Sequence, residues 1–191
     1  MGNIKLKDGT VIFIAGAPAS GKTEFARYLA NEFHLPLFTK DAIKERIWER
    51  VRYDTNVRTE AVTYSALIYD ILFYLAEELM RVRLPFSLES NFTAEAGEIL
   101  TRLITTYHYR ALTVLFDADI EVLYARFITR DTEGERHPGL MAKRRYDNSA
   151  HFAKDTESMR NFSVGDCITV DTTDFAAVDY AAITEKIRKM L

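Results

Sequence analysis

The chain has 191 residues, 48% of them hydrophobic and 28% charged, with a net charge of -3. That size and balance allow a substantial core and exclude intrinsic disorder, and the mild acidity supplies no whole-molecule field for a nucleic-acid duplex or an anionic membrane. The lone cysteine, Cys167, excludes an internal disulfide framework and suits a reducing, cytoplasmic location.

The first residues, MGNIKLKDG, hold no apolar core of signal-peptide length, and Leu6 stands where a myristoylation signal after Gly2 needs Ser or Thr. Short apolar runs then alternate with helical patterns. Strands are expected at 10–15, 35–38, 86–89, 111–116 and 166–170, and helices at 22–33, 41–52, 60–83, 94–107, 120–130 and 178–190. Strands separated by helical crossovers make an α/β fold, a parallel sheet with helices on both faces. No repeat, low-complexity tract or linker divides the chain, so residues 1–191 are expected to form one domain. The apolar stretch 61–76 is too short for a membrane span and carries Asp70. Thr63, Asp70, Glu77 and Arg81 fall on one thin stripe, which predicts a mostly buried helix with a narrow wet edge. Residues 131–152 read as a mobile surface excursion followed by a helix.

Between the first strand and the first helix, Gly16-Ala17-Pro18-Ala19-Ser20-Gly21-Lys22-Thr23 matches the G-x-x-x-x-G-K-[ST] phosphate loop. Small residues let backbone N–H groups close around a phosphate, and the helix that follows adds its own unpaired N–H groups and dipole. Lys22 is the candidate for the β- and γ-phosphates and the Thr23 hydroxyl for Mg2+; Glu24, the next residue, completes the candidate nucleotide-binding run.

Three later stretches bear on what a bound nucleotide is for. Asp41 sits where the second strand gives way to a helix, placed either to orient and deprotonate an attacking hydroxyl or to cap that helix. The third strand ends in LES, setting Glu89 and then Asn91 at the same sheet edge; an acid there suits an outer-shell Mg2+ partner, or is a solvent-facing strand end. Arg126 and Arg130 share a helix face, with Arg136 close behind, either as charge stabilisers on a closing segment or as a solvated basic face paired with Glu121 and Asp131. On the second helix, Ile43, Ile47, Trp48 and Val51 are expected to face the core, although Trp48 and Tyr53 beside basic residues would also suit an acceptor surface. Lys143, Arg144 and Arg145 are either a nucleic-acid track or an ordinary surface patch, and His34, His108 and His151 form no metal pattern.

Together GAPASGKT, TKDAIKERI, SLESNF, RFITR and RHPG resemble the P-loop kinases of the nucleoside-monophosphate-kinase-like group, nearest the branch of polynucleotide kinase, chloramphenicol phosphotransferase and zeta toxin. The resemblance implies a three-layer P-loop NTPase fold with a five-stranded parallel sheet in order 2-3-1-4-5 and a small lid, approximately residues 126–142. It implies that Asp41 activates the acceptor hydroxyl, that Arg126 and Arg130 belong to the lid over ATP, and that Lys44 faces the acceptor. It also implies that the stretch from Asp171 through Thr172 to Thr173 approaches the adenine. Glu89 departs from the aspartate of many relatives, and the base-reading motifs of adenylate and related nucleotide kinases are missing, so a nucleoside-monophosphate acceptor is not favoured. His137 lies in the lid pattern, where it is read as structural.

The expected protein is an ATP- and Mg2+-dependent phosphotransferase that moves the γ-phosphoryl to a hydroxyl of a small molecule or nucleic-acid end. It needs no membrane and shows no obligate protein partner. The alternative from another class is an ATP-dependent binding module that signals to a protein partner.

Overall fold

Thr10 to Gly16 reads TVIFIAG, with no polar side chain after the first, and such a strand is stable only with both faces covered. The structure, a computed structural model, describes residues 6–55, 57–133, 136–140 and 146–191. In it β1 (Thr10–Gly16) is buried from end to end and lies at the centre of a five-stranded parallel sheet. The other strands are β2 (Leu37–Thr39), β3 (Phe86–Glu89), β4 (Arg110–Asp117) and β5 (Asp166–Asp171), in the order β2-β3-β1-β4-β5. The expected order is therefore the observed one. The Lys143, Arg144 and Arg145 patch lies outside the described residues.

Seven helices connect the strands among the described residues: α1 (Lys22–Phe33), α2 (Lys40–Val51), α3 (Arg58–Arg81), α4 (Ala94–Tyr107), α5 (Ile120–Glu133), α6 (Ser149–Arg160) and α7 (Tyr180–Met190). One sheet face packs Phe13, Phe86 and Leu88 against Leu72, Ala76 and Met80 of α3 and Leu100 of α4. The other packs Ile12, Ile14 and Val114 against Phe25 and Leu29 of α1 and Ile187 of α7. A third cluster, Phe127, Tyr146 and Phe152, ties α5 to α6. Arg160 fastens α6 to the end of β4 with a two-pronged bond to Asp117, at 2.7 and 3.0 Å.

Two helices depart from expectation. α3 buries a single line, Ile68, Leu72, Ala76 and Met80, and leaves Val62 at 60%, Leu67 at 45% and Tyr74 at 62% exposure. Its period of four gives it one covered face rather than a narrow wet edge, because none of the described residues covers its outer side. In α2 no residue is fully buried, and Val51 is exposed rather than core-facing. Only Ile43 of its apolar side chains joins the main core. α2 packs instead across the end of β2 and against α3. No helix among the described residues is long and apolar enough to cross a membrane.

The register brings the carboxyl ends of the strands to one edge. Thr39 and Ile14 both lie level with Glu89, Gly16 with Phe116, and Asp117 with Asp171. In an open parallel sheet that edge is where ligands bind.

Candidate active site

The phosphate loop follows β1 directly. Gly16 has no room for a side chain, since a Cβ there would collide with the Phe116 carbonyl of β4. Ala19 and Gly21, at φ 65° and 84°, lie in the left-handed region, a loop geometry that turns successive N–H groups inward as an anion-binding concavity. Gly16, Ala17, Pro18 and Ser20 are buried, and Ala19 and Gly21 are half-buried. α1 starts at Lys22 with no side-chain cap, so its first N–H groups are open to a ligand, and exposed Glu24 sits in that first turn.

Lys22 is buried, donates to the Ala17 carbonyl at 3.1 Å, and stands 3.8 Å from Glu89. Burial holds its ammonium below the usual lysine range, even with Glu89 and Asp41 pulling the other way. Glu89 is pushed up to about 7 by the same burial, which Lys22 only partly offsets. Desolvation thus outweighs the attraction within this pair. The Thr23 hydroxyl hydrogen-bonds Glu89, whereas Glu89 Oε2 is buried with no partner. An unpartnered carboxylate oxygen beside a threonine hydroxyl is an oxygen donor set of the kind Mg2+ takes. Among the described residues no cluster of three or more His, Cys, Asp or Glu could hold a metal by itself. The remaining ligands of such an ion would be phosphates and water.

The part of the edge that carries Asp41 begins at the end of β2. Thr39, not Asp41, caps α2: its hydroxyl accepts the Ala42 N–H at 3.2 Å. Asp41 is left in the first turn, close enough to act electrostatically on Lys22, Glu89, Arg130, Tyr53 and Tyr69. The two readings of Asp41 that the sequence leaves open are therefore separated by the cap geometry. Lys40 is spent on the Ser65 hydroxyl, 3.0 Å away, and on the face of Tyr69. Lys44 is half-buried one turn beyond Asp41. Tyr69 donates to the Asn91 carbonyl at 2.8 Å and pairs with the Ser90 hydroxyl, while Asn91 Oδ1 is buried without a partner.

The arginines divide into two sets. Arg126 donates to the Thr172 and Thr173 carbonyls at 2.7 and 2.9 Å and lies 3.7 Å over the ring of Phe175. That ring covers Gly21, where a Cβ would come within 2.7 Å of it. Arg126 therefore clamps the segment after β5. The Thr172 hydroxyl and N–H are both used on the Asp117 carbonyl, at 3.0 and 2.8 Å, which leaves its backbone carbonyl as the group that meets Arg126. Arg130 and Arg136 belong to the other set. Both act on Lys22, and burial together with Arg136 holds the Arg130 guanidinium below its usual range. Arg136 is paired with buried Asp131. Of the two acids expected to pair with these arginines, Asp131 does so through Arg136, away from solvent, whereas Glu121 accepts from Ser149.

Residues 138–140 form a short 3-10 turn docked on α2. Gly139 is buried against Trp48, so close that a Cβ would come 2.8 Å from that side chain. His137 meets Trp48 edge-on, and its Nδ1 accepts the Gly139 N–H at 3.1 Å, the structural role expected of it. Trp48 thus packs against this turn and under Arg52, not in the core. His34 and His108 end α1 and α4 in the left-handed conformation, and His151 pairs with Asp147 and Asp155. Sequence reasoning missed Tyr69 and Phe175 as site walls and Gly139 as a docking point. Only Gly139, in the RHPG run, left a signal.

The sequence profile of the family described as AAA domain matches residues 11–149, most of the chain and all of the loop, Asp41, Glu89 and the arginines. The chain belongs to the AAA-domain family. Its fold is that of P-loop kinases. A candidate kinase from Chloroflexus aurantiacus J-10-fl shares 25% identity, covers 97% of each chain and superposes with a TM-score of 0.76. A sugar kinase from Janibacter sp. HTCC2649 covers 94% of this chain and 92% of its own at 15% identity and a TM-score of 0.56. A shikimate kinase from Aquifex aeolicus VF5 covers 94% of both at 14% identity and 0.54. The last two likenesses show the fold alone. No curated protein matches the chain significantly. Among AAA-domain chains, then, this one carries its lysine, threonine and strand-end acid at a single sheet edge.

Proposed function

We propose that this AAA-domain protein is a phosphotransferase that moves the γ-phosphoryl of ATP to an alcohol. The observation that carries the reading is the convergence of three cations, Lys22, Arg130 and Arg136, on the loop, with the Asp41 carboxylate facing them from α2 and free of any capping duty. A lone phosphate loop would serve a switch as well. A carboxylate held opposite the cations is what hydroxyl transfer adds.

In this reading the inward N–H groups from Gly16 to Thr23 hold the phosphates, and Ser20 Oγ, buried without a partner, turns to them. Lys22 leaves the Ala17 carbonyl to bridge the β- and γ-phosphates. Thr23 and Glu89 would hold Mg2+, which would supply charge neutralisation on the phosphate oxygens. Asp41 accepts the proton of the acceptor hydroxyl as its oxygen bonds to the γ-phosphorus and the bond to the ADP oxygen breaks. Arg130 and Arg136 stabilise the equatorial charge in that step. Arg126 and the Thr172 region position the base end. Residues 1–191 act as one domain with 126–142 as its lid, of which 134–135 and 141–142 lie outside the described residues.

The test is ADP release from Mg-ATP against pooled alcohols, with Lys22→Ala as the blank. Lys22→Ala is expected to lose at least about a hundredfold in rate, since it removes the charge that follows the transferring group. Asp41→Asn is expected to leave the Kd for ATP within about twofold while slowing acceptor-dependent turnover by about 10²–10⁴. Turnover that responds only to a protein partner and survives Asp41→Asn would replace this reading with an ATP-dependent binding module.

A further inference from the structure

Glu89 Oε2 and Asn91 Oδ1 are both buried without a hydrogen-bond partner, one on each side of Ser90. Leaving a buried polar atom unpaired is costly, and the end of β3 bears that cost twice. Glu89 has little of its own to fix it there: the Thr23 hydroxyl, and Lys22 at 3.8 Å. The backbone behind it is held more firmly, and from a distant helix. The Tyr69 hydroxyl of α3 donates to the Asn91 carbonyl at 2.8 Å and lies 3.2 Å from Ser90 Oγ. A phenol carries one proton, which is used on Asn91, so the Ser90 hydroxyl is the donor in the second bond. The Ser90 N–H in turn donates to the Ile14 carbonyl of β1 at 3.2 Å. Ser90 is thus tied to β1 by its backbone and to α3 by its side chain. The phenol ring is itself pinned. The Lys40 ammonium lies 3.7 Å over its centroid, Phe73 stacks on it at 5.5 Å and Phe92 tilts against it at 6.5 Å. Burial pushes the Tyr69 hydroxyl up to about 12, so it keeps its proton and remains a donor through the neutral range.

We infer that Tyr69 is a positioning residue for the metal side of the site: its hydroxyl, bonded to Ser90 and Asn91, fixes the backbone after β3 and so keeps the Glu89 carboxylate beside Thr23. This inference rests on the reading above in which Thr23 and Glu89 would hold Mg2+. Tyr69 acts through the chain and touches neither the phosphates nor the ion. A second tyrosine shows what a purely structural hydroxyl looks like here. Tyr109 lies 3.2 and 2.9 Å from the Leu79 and Leu84 carbonyls, but it precedes β4, at the opposite edge of the sheet from the phosphate loop. The two hydroxyls make the same kind of bonds to the chain. They differ in what the bonded backbone carries: the turn after α3 for Tyr109, the strand-end acid for Tyr69.

The probe is mant-labelled adenylyl imidodiphosphate, a non-hydrolysable ATP analogue. The quantity measured is the ratio of its Kd in chelator to its Kd in saturating Mg2+. Glu89→Gln gives the ratio of a site without the acid. Tyr69→Phe keeps the ring under Lys40 and loses only the hydroxyl. It is expected to lower the ratio about three- to tenfold, the worth of one or two hydrogen bonds, while the Kd in chelator stays within about twofold. Ser90→Ala leaves the bond to Asn91 and should lower the ratio less. Tyr109→Phe should leave it as in the unaltered chain. The double variant of Glu89→Gln with Tyr69→Phe should be no lower than Glu89→Gln alone, since the tyrosine acts through the acid. A thermal midpoint checks that each variant folds; should Tyr69→Phe fail to fold, Ser90→Ala and its double variant with Glu89→Gln carry the same comparison. An unchanged ratio in Tyr69→Phe, an equal fall in Tyr109→Phe or an additive double variant overturns the inference and leaves the metal role of Glu89 standing. A ratio that Glu89→Gln does not change overturns both.

Discussion

Thr39 and Asp41 stand two residues apart at the start of α2, and the hydroxyl of the first already accepts the Ala42 N–H. Thr39→Ala should therefore destabilise the fold by about 1 kcal/mol through the lost cap. Asp41→Asn keeps the cap and gives up only a charge near the helix N-terminus, so its cost should stay below about half of that. Urea unfolding of both variants checks the pair; equal losses would return Asp41 to a structural role. The sequence places an acid at this junction but does not say which of two polar residues caps, because both TKDA positions satisfy the preference. Only the backbone, extended at Thr39 and helical from Lys40, decides. The phosphate loop was legible for the opposite reason. Its small residues, fixed spacing and flanking strand and helix are all local, so no distant contact is needed to recognise it. Tyr69 and Asn91 gain their meaning from each other, 22 residues apart, and no spacing rule reports that.

At the scale of elements, the periodicities located all five strands, and the ends of most helices agree to within two residues. What the patterns did not show is which helix faces find a partner. α2 and α3 both carry apolar stripes, yet their outer sides remain open, with Val51, Val62 and Tyr74 exposed. Amphipathicity identifies a face that can be buried, not the element that buries it. Trp48 makes the point, since its partner is the 3-10 turn Pro138–Leu140. That docking couples α2, which carries Asp41, to the segment that carries Arg136. Gly139→Ala forces the turn off α2, because the clash is with Trp48 Cβ and Cγ and not with the end of a flexible chain. The substitution should cost about 1–3 kcal/mol. Trp48 is the sole tryptophan, so its emission reads the contact directly. A red shift is expected as solvent reaches the indole, with a matching drop in turnover as Arg136 loses its station. An unchanged spectrum would mean that the turn absorbs the methyl group and that Trp48 does not anchor it.

Across the whole molecule, three cations and three acids are gathered at one sheet edge of a chain whose net charge is only -3: Lys22, Arg130 and Arg136 against Asp41, Glu89 and Asp131. Without a ligand these groups neutralise one another, but burial makes the arrangement expensive for the fold. The pH dependence of stability follows from the two groups at its centre. Glu89 titrates near 4.5 when unfolded and about 7 when folded, so between those values the folded chain holds a proton the unfolded chain has released. Stability therefore is fully present below pH 4.5 and falls as pH rises to 7, by up to about 3 kcal/mol. Lys22 works in the opposite sense. Its folded value lies below 10.5, so between that value and 10.5 the unfolded chain binds the extra proton, and stability rises as pH climbs through that interval. The metal-free protein should thus lose stability as pH rises from 4.5 to about 7. Urea unfolding in chelator at pH 5, 6, 7, 8 and 9, compared with Glu89→Gln, isolates the acid limb. The substituted chain should lose less stability between pH 5 and 7 than the unaltered one. Parallel profiles would mean that Glu89 stays ionised beside Lys22 throughout, and that attraction within the pair, rather than burial, governs the empty site.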